Sequence, residues 1–114
     1  MRTIYFDHQF QKVDAQIIDV FTPGVFRAQG VFETMLGLDD VVLDIPLHLK
    51  RLKLGLKVLG LESPVISPEV VKEVLRSNQL SCGRVRVMVW KAKDKTHVMI
   101  VALPYKIENK KISK

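Results

Sequence analysis

Cysteine is nearly absent: Cys82 is the single one in 114 residues. It cannot form an internal disulfide, and with only His8, His48 and His97 scattered around it no zinc site is expected, a pattern that suits a reducing cytoplasm. Long apolar runs are missing too, so no stretch can cross a bilayer as a helix. The start, Met1-Arg2-Thr3-Ile4-Tyr5-Phe6-Asp7, breaks its apolar run with an acid and offers no small-residue cleavage site, so no signal peptide is read there. Aromatic residues make up 7% of the chain, with one tryptophan, which leaves little for a surface that stacks nucleic-acid bases. Acids are in the minority, 12 Asp and Glu against 18 Lys and Arg, for a net charge of +6. That balance favours anionic partners in general, nucleic acid and phosphorylated cofactors alike, and does not choose between them. Much of the excess sits in Lys106 to Lys114, and a charge run at a chain end reads more simply as a solvated tail than as a binding face.

Apolar residues are plentiful, 47% of the total. A chain of this length and content supports one domain with a modest core. Arg2 to Phe6 and the region around Val13 to Val20 read as short strands separated by Asp7-His8-Gln9, a hairpin near the amino terminus. Thr22-Pro23-Gly24 marks a turn, because proline presets φ and glycine tolerates positive φ after it. Val31 to Leu38 reads as a strand, with Gly37-Leu38-Asp39-Asp40 turning the chain into Val41-Val42-Leu43. Asp44 and Pro46 announce a helix, the aspartate as a cap and the proline in the first turn, where its missing N–H costs nothing. Leu49, Leu52, Leu56 and Leu59 recur at helical spacing and are expected in the core, while Lys50, Lys53 and Lys57 line another face. His48, Arg51 and Gly55 share a third edge, where the glycine lets another group come close, and Gly60 ends the helix.

A second helix begins at Ser67-Pro68-Glu69, buries Val70, Val71, Val74 and Leu75, and stops at Asn78. From Arg84 to Trp90 the chain alternates, with Val85, Val87 and Val89 on one face and Arg84, Arg86, Met88 and Trp90 on the other. Lys93-Asp94-Lys95 turns into Val98 to Leu103, a strand expected to be buried on both faces. No internal repeat or low-complexity tract interrupts this order.

Two of these stretches carry a resemblance. Arg27-Ala28-Gln29-Gly30-Val31-Phe32-Glu33-Thr34, then His48-Leu49-Lys50-Arg51-Leu52, then Leu59-Gly60-Leu61 resembles the pattern Tyr-Gly-Asp-Gly-x-Phe-Glu-Thr, His-x-x-Arg-Leu, Leu-Gly-Leu of the class IV pyridoxal-phosphate aminotransferases. That family includes branched-chain and D-amino-acid aminotransferases and aminodeoxychorismate lyases. The resemblance spans nearly all of this chain but only the first third to half of a full family member. It implies an α+β fold, a small antiparallel-sheet domain with two helices, as in the N-terminal domain of fold-type IV enzymes. Residues 1–105 would form that domain, and 106–114 a basic tail or the start of an interdomain linker.

The resemblance also assigns residues. Pyridoxal 5'-phosphate is held largely through its phosphate, to which a guanidinium gives two parallel charge-assisted hydrogen bonds. Arg51 is the residue implied for that role; taken alone it reads as a surface residue of an amphipathic helix. Phe32 would line the substrate side-chain pocket, although a strand aromatic is commonly core. Arg84 and Arg86 would recognise a substrate carboxylate, in some family members across a dimer interface, although two arginines on a strand are as often solvated. Arg27 stands where the family has tyrosine and is counted on the substrate side. Glu33, facing away from Phe32, reads as structural, and His48 as a helix-start residue with a structural hydrogen bond.

No catalytic residue is expected within the chain. In the family the Schiff-base lysine and the acid facing the pyridine nitrogen lie in a second, larger domain. Ile112-Ser113-Lys114 resembles the start of the connecting segment Leu-Ser-Arg-x-Lys-Thr-Leu-Asn, which puts that lysine about two residues past the end of this chain, with Lys114 as the alternative. The implied partners are a C-terminal pyridoxal-phosphate domain or partner chain, a second copy in a homodimer, and a small-molecule amino-acid substrate. Ala28 and Gln29 replace Gly-Asp, and Gly55 replaces a small Ser or Ala, so substrate choice within the family stays open. Two other readings remain: a small basic nucleic-acid-binding domain using Arg84, Arg86, Trp90 and Lys91 on an exposed sheet face, and a non-catalytic protein-interaction domain.

Overall fold

The computed structural model describes residues 2–14 and 29–105. Within them the chain forms β1 (Arg2–Phe6), β2 (Gln9–Val13), β3 (Gln29–Leu38), β4 (Val41–Val42), α1 (Ile45–Leu59), α2 (Pro68–Ser77), β5 (Cys82–Ala92) and β6 (Lys95–Pro104). The strands make one antiparallel sheet in the order β2-β1-β6-β5-β3-β4. This is the α+β arrangement expected from the sequence. Among the described residues, no helix is long and apolar enough to cross a membrane.

Three hairpins close on two-residue turns, Asp7-His8, Asp39-Asp40 and Lys93-Asp94, each with both residues at positive φ. That backbone twist matches the twist of the paired strands, and aspartate tolerates it better than most residues. The first of these turns corrects the amino-terminal hairpin. Its second strand starts at Gln9, not near Val13, because Asp7-His8 suffices to reverse the chain and pairs Phe6 with Gln9. Residues 15–20 of the expected strand and the turn at Thr22-Pro23-Gly24 lie outside the described residues.

Strands β5 and β6 run through the middle of the sheet, and Val98, Met99, Ile100, Val101 and Ala102 are all buried, as the apolar run implied. Both helices cover one face, where Met35, Val85, Val87, Val89 and Ile100 meet Ile45, Leu52, Leu56, Val71, Val74 and Leu75. The second face gathers Ile4, Met88, Trp90, Met99 and Val101, flanked by Phe6 and Leu103. Trp90 is buried there, with the rings of Phe6 and His97 at 6.2 and 5.5 Å. A stacking surface that needs an exposed Trp90 is therefore not what this face offers, and the nucleic-acid reading of the sequence loses its aromatic.

The two helices start differently. In α2, Ser67 Oγ accepts from the Val70 amide, a side-chain cap as expected. In α1, Asp44 makes no such bond: it sits in a left-handed conformation, and its backbone carbonyl accepts from the His48 amide instead. The expected carboxylate cap is therefore not made, and the Asp44 carbonyl supplies only the first main-chain bond of the helix itself. Gly60, at φ +72°, closes α1, with the Leu61 amide donating to the Leu56 carbonyl. Ile45, Leu52 and Leu56 are buried and Leu49 packs against the core, but Leu59 is exposed, as are Leu47, Leu54 and Val58. Helix α1 is therefore apolar on more than one side.

Candidate functional site

Helix α1 lies along β3 and touches it at three points. Glu33 meets His48 and Arg51, Val31 meets Gly55, and the Gln29 side chain reaches the Leu59 carbonyl at 3.5 Å. Rising residue numbers on α1 match falling numbers on β3, so the two run antiparallel. The close approach depends on Gly55: a Cβ there would stand 3.0 Å from Val31 Cγ1. The edge His48-Arg51-Gly55 is thus the edge that faces β3.

Glu33 is the centre of this contact. Its Oε1 lies 2.7 Å from His48 Nδ1 and 3.0 Å from an Arg51 Nη2 donor. The Glu33 side chain is 11% exposed and the Arg51 side chain 58% exposed, so the carboxylate is sunk between strand and helix while more than half of the arginine side chain is open to solvent. An arginine carries five N–H donors on a rigid plane. Holding one of them fixes the plane and leaves others available, an arrangement suited to an incoming anion with several oxygens. Sequence reasoning read Glu33 as structural and missed that it grips Arg51. The available signal was the shared edge of His48 and Arg51, one helical turn apart, after a strand acid.

Phe32 points to the other face of the sheet and is 46% exposed rather than core. On that face the Arg86 guanidinium carbon lies 5.9 Å from the centre of its ring, and Arg86 Nε donates to Thr34 Oγ1 at 3.3 Å. Arg84, further along β5, stacks over the Tyr105 ring at 4.3 Å. The structure thus gathers Phe32, Thr34 and Arg86, sets Arg84 beside them along the strand, and puts Arg51 on the opposite face. Arg27 lies outside the described residues, as does Lys114.

Strand β3 joins these two groups. Strand β4 pairs with it only at Gly37 and Leu38, so from Gln29 to Leu36 no described strand covers its outer side. A ligand lying against this edge can meet Arg51 above the sheet and Phe32 below it. The backbone at the start of the edge is tight: a Cβ on Gly30 would stand 2.5 Å from the Val89 carbonyl oxygen and 2.7 Å from Trp90 Cβ. Only glycine fits there without something shifting.

A family model described as amino-transferase class IV matches residues 30–114, which include this edge from Gly30 onward. The chain belongs to that family. A relative from Methanocaldococcus jannaschii, provisionally designated a branched-chain-amino-acid aminotransferase, is 33% identical over 89 residues, 75% of this chain and 31% of its own length. A branched-chain aminotransferase of Thermoproteus uzoniensis, solved with norvaline, superposes with a TM-score of 0.70 at 21% identity, covering 92% of this chain and 41% of that one. A hypothetical aminotransferase of Mycobacterium tuberculosis in a PLP-bound form gives a TM-score of 0.66 at 18% identity, covering 91% and 40%. The two solved structures establish the likeness of fold. This class IV chain spans well under half the length of these relatives.

The family implies pyridoxal 5'-phosphate, and the described residues fit one end of it. Arg51, oriented by Glu33 and open to solvent, suits the phosphate. Lys50, Lys53 and Lys57 are exposed on a flank of α1 away from the edge that meets Glu33, so none of them is placed to reach across to the same ligand.

Proposed function

We propose that this chain is the phosphate-gripping and substrate-facing lobe of a pyridoxal-phosphate-dependent aminotransferase or aminodeoxychorismate lyase that acts on amino acids or aminochorismate-like substrates. The observation that carries the proposal is the solvent-open Arg51 side chain, its guanidinium fixed by Glu33 at the open edge of β3. When bound, the cofactor supplies an electron sink for the substrate's α-carbon. This chain's own part is to hold and to orient. Arg51 binds the phosphate, Glu33 and His48 keep the guanidinium in place, Phe32 walls the substrate side chain, and Arg86 with Arg84 attracts its carboxylate. Arg27 is assigned to the substrate side with them. Residues 1–105 act as the lobe and 106–114 as its tail or linker.

The lysine that bonds the cofactor is assigned to a complementary lobe, on the same polypeptide or a separate one, so the 114-residue chain alone is inactive. Assembly into a homodimer and work in the cytoplasm complete the reading. The names of the relatives make branched-chain amino acids the first substrates to try.

The test uses this chain alone. Its Arg51 Nε–Hε resonance and the backbone amide resonances of α1 are followed while pyridoxal 5'-phosphate, or pyridoxal as control, is added to millimolar concentration. The phosphate ester is expected to shift it saturably, pyridoxal to leave it in place, and Arg51→Met to abolish the response of α1. Equal responses to both compounds, or none to the phosphate ester, overturn the assignment.

A further inference from the structure

A groove runs between the first half of α1 and the segment that leads from α1 to α2. It encloses about 430 Å³ and is lined by Leu49, Leu52 and Ile66, which belong to the core beneath the helices or pack against it. Pro46 and Pro64 line it as well. A proline backbone is held at one φ and its ring has no side-chain freedom to lose, so covering these two residues with a ligand costs little ordering. A volume of this size, apolar within and set in a stiff frame, is that of a small-molecule site.

The charged groups at this groove are of one sign. Lys50 and Lys53, one helical turn apart, both line it, and both are exposed. Neither forms an ion pair among the described residues. No acid, arginine or aromatic residue shares the lining. Two unpaired ammonium groups beside aliphatic walls select an anion with an aliphatic body. With no aromatic there is nothing to stack a nucleobase, and with no acid there is nothing to pair the ammonium of an amino acid, which is costly to bury alone. The groove also stands apart from Arg51. Leu49 and Lys53 lie two residues before and after that arginine, about 200° round the helix axis in either direction, so the groove is on the far side of α1 from it.

We propose that this groove binds an aliphatic monocarboxylate, its chain against Leu49, Leu52 and Ile66 and its carboxylate at Lys50 and Lys53. Val65, 88% exposed at the same groove, gives the bound chain a further aliphatic contact. The site is separate from the phosphate position assigned to Arg51 and does not rest on the cofactor reading.

The experiment titrates the isotopically labelled 114-residue chain with three six-carbon probes, hexanoate, hexan-1-ol and 2-aminohexanoate, and follows the methyl resonances of Leu49, Val65 and Ile66. Hexanoate is expected to shift them saturably and to bind roughly fivefold or more tightly than either other probe, the combined effect of two exposed ion pairs. Lys50→Gln with Lys53→Gln should remove that preference and leave the response to hexan-1-ol in place. The thermal melt of this double variant should be unchanged, because both side chains are exposed. Arg51→Met should keep the hexanoate response. No saturable shift at the three residues overturns the site, as does a smaller preference or one that survives the two glutamines. A hexanoate response lost in Arg51→Met puts the carboxylate at the phosphate position and overturns it too. The pyridoxal 5'-phosphate titration of Arg51 is judged separately, since neither result decides the other.

Discussion

Arg51 is held to the sheet by Glu33, at 3.0 Å, through the same carboxylate oxygen that receives His48 at 2.7 Å. One acid on a strand thereby fixes two successive turns of a helix. Because the carboxylate is nearly buried, its removal leaves His48 without its partner in a part-buried position. Glu33→Ala is expected to destabilise the domain by about 1–3 kcal/mol, the cost of an unmatched buried polar group. Glu33→Gln keeps an acceptor in the same place and should cost less. Urea unfolding of the two variants beside the parent checks the order, and equal losses would show that charge rather than hydrogen bonding holds the helix.

Two glycines separate steric from conformational demand. Gly30 is crowded by the Val89 carbonyl oxygen and Trp90 Cβ, whereas Gly60 has nothing within 4 Å of its absent Cβ but adopts φ +72°. Gly30→Ala must push strand backbones apart and should cost about 1–3 kcal/mol, as overpacking does. Gly60→Ala only strains a left-handed residue, for roughly 1–2 kcal/mol. The sign that distinguishes them is in the amide shifts: displacement spread over β3 and β5 for the first, confined to the end of α1 for the second.

Asn78 does more than end α2. Its Oδ1 accepts from the Thr3 amide at 2.9 Å, and its Nδ2 donates to the carbonyls of Thr3 at 2.8 Å and Val74 at 2.7 Å. The side chain thus bridges the helix to β1, 75 residues away in sequence. Asn78→Ala is expected to cost about 1–3 kcal/mol, since it orphans backbone groups that are part-buried. Faster hydrogen exchange at Thr3 would locate the loss; an unchanged rate there would mean water replaces the amide.

The local grammar of the chain was legible because it is set by neighbours in sequence. Proline after Ser67, glycine at 60 and alternation from Arg84 to Trp90 each define an element without help from elsewhere, and the motif around Phe32 and Arg51 pointed to the family. What was not legible depends on which side of an element the rest of the chain covers. Leu59 keeps the helical spacing of Leu52 and Leu56 but lies at the end of α1, where the core has run out, and is exposed. Asp44 has the residue type of a cap, but the two-residue hairpin before it delivers the chain to the helix in a left-handed turn. The Glu33 to Arg51 contact needs the helix to be laid antiparallel on the strand, which no spacing within either element states.

Phe32 is where the sequence left two readings open, core aromatic or pocket wall, and stability measurements separate them. A fully buried phenylalanine cut to alanine costs about 3–5 kcal/mol through lost transfer energy and the cavity left behind. Phe32 is 46% exposed and lies against the Arg86 guanidinium at 5.9 Å, so much of its ring is already in water and little cavity can form. Phe32→Ala should therefore cost only about 1 kcal/mol by loss of partial burial. The parallel change Leu56→Ala, at a side chain with no exposed surface, should cost about 2–5 kcal/mol. A Phe32 loss as large as that of Leu56 would return the ring to the core and remove it from the substrate side. A small loss keeps it on the open edge, and alanine there should then relax the discrimination between branched and unbranched amino acids in the assembled enzyme by roughly 10-fold or more, the range set by a few methylenes in an apolar pocket.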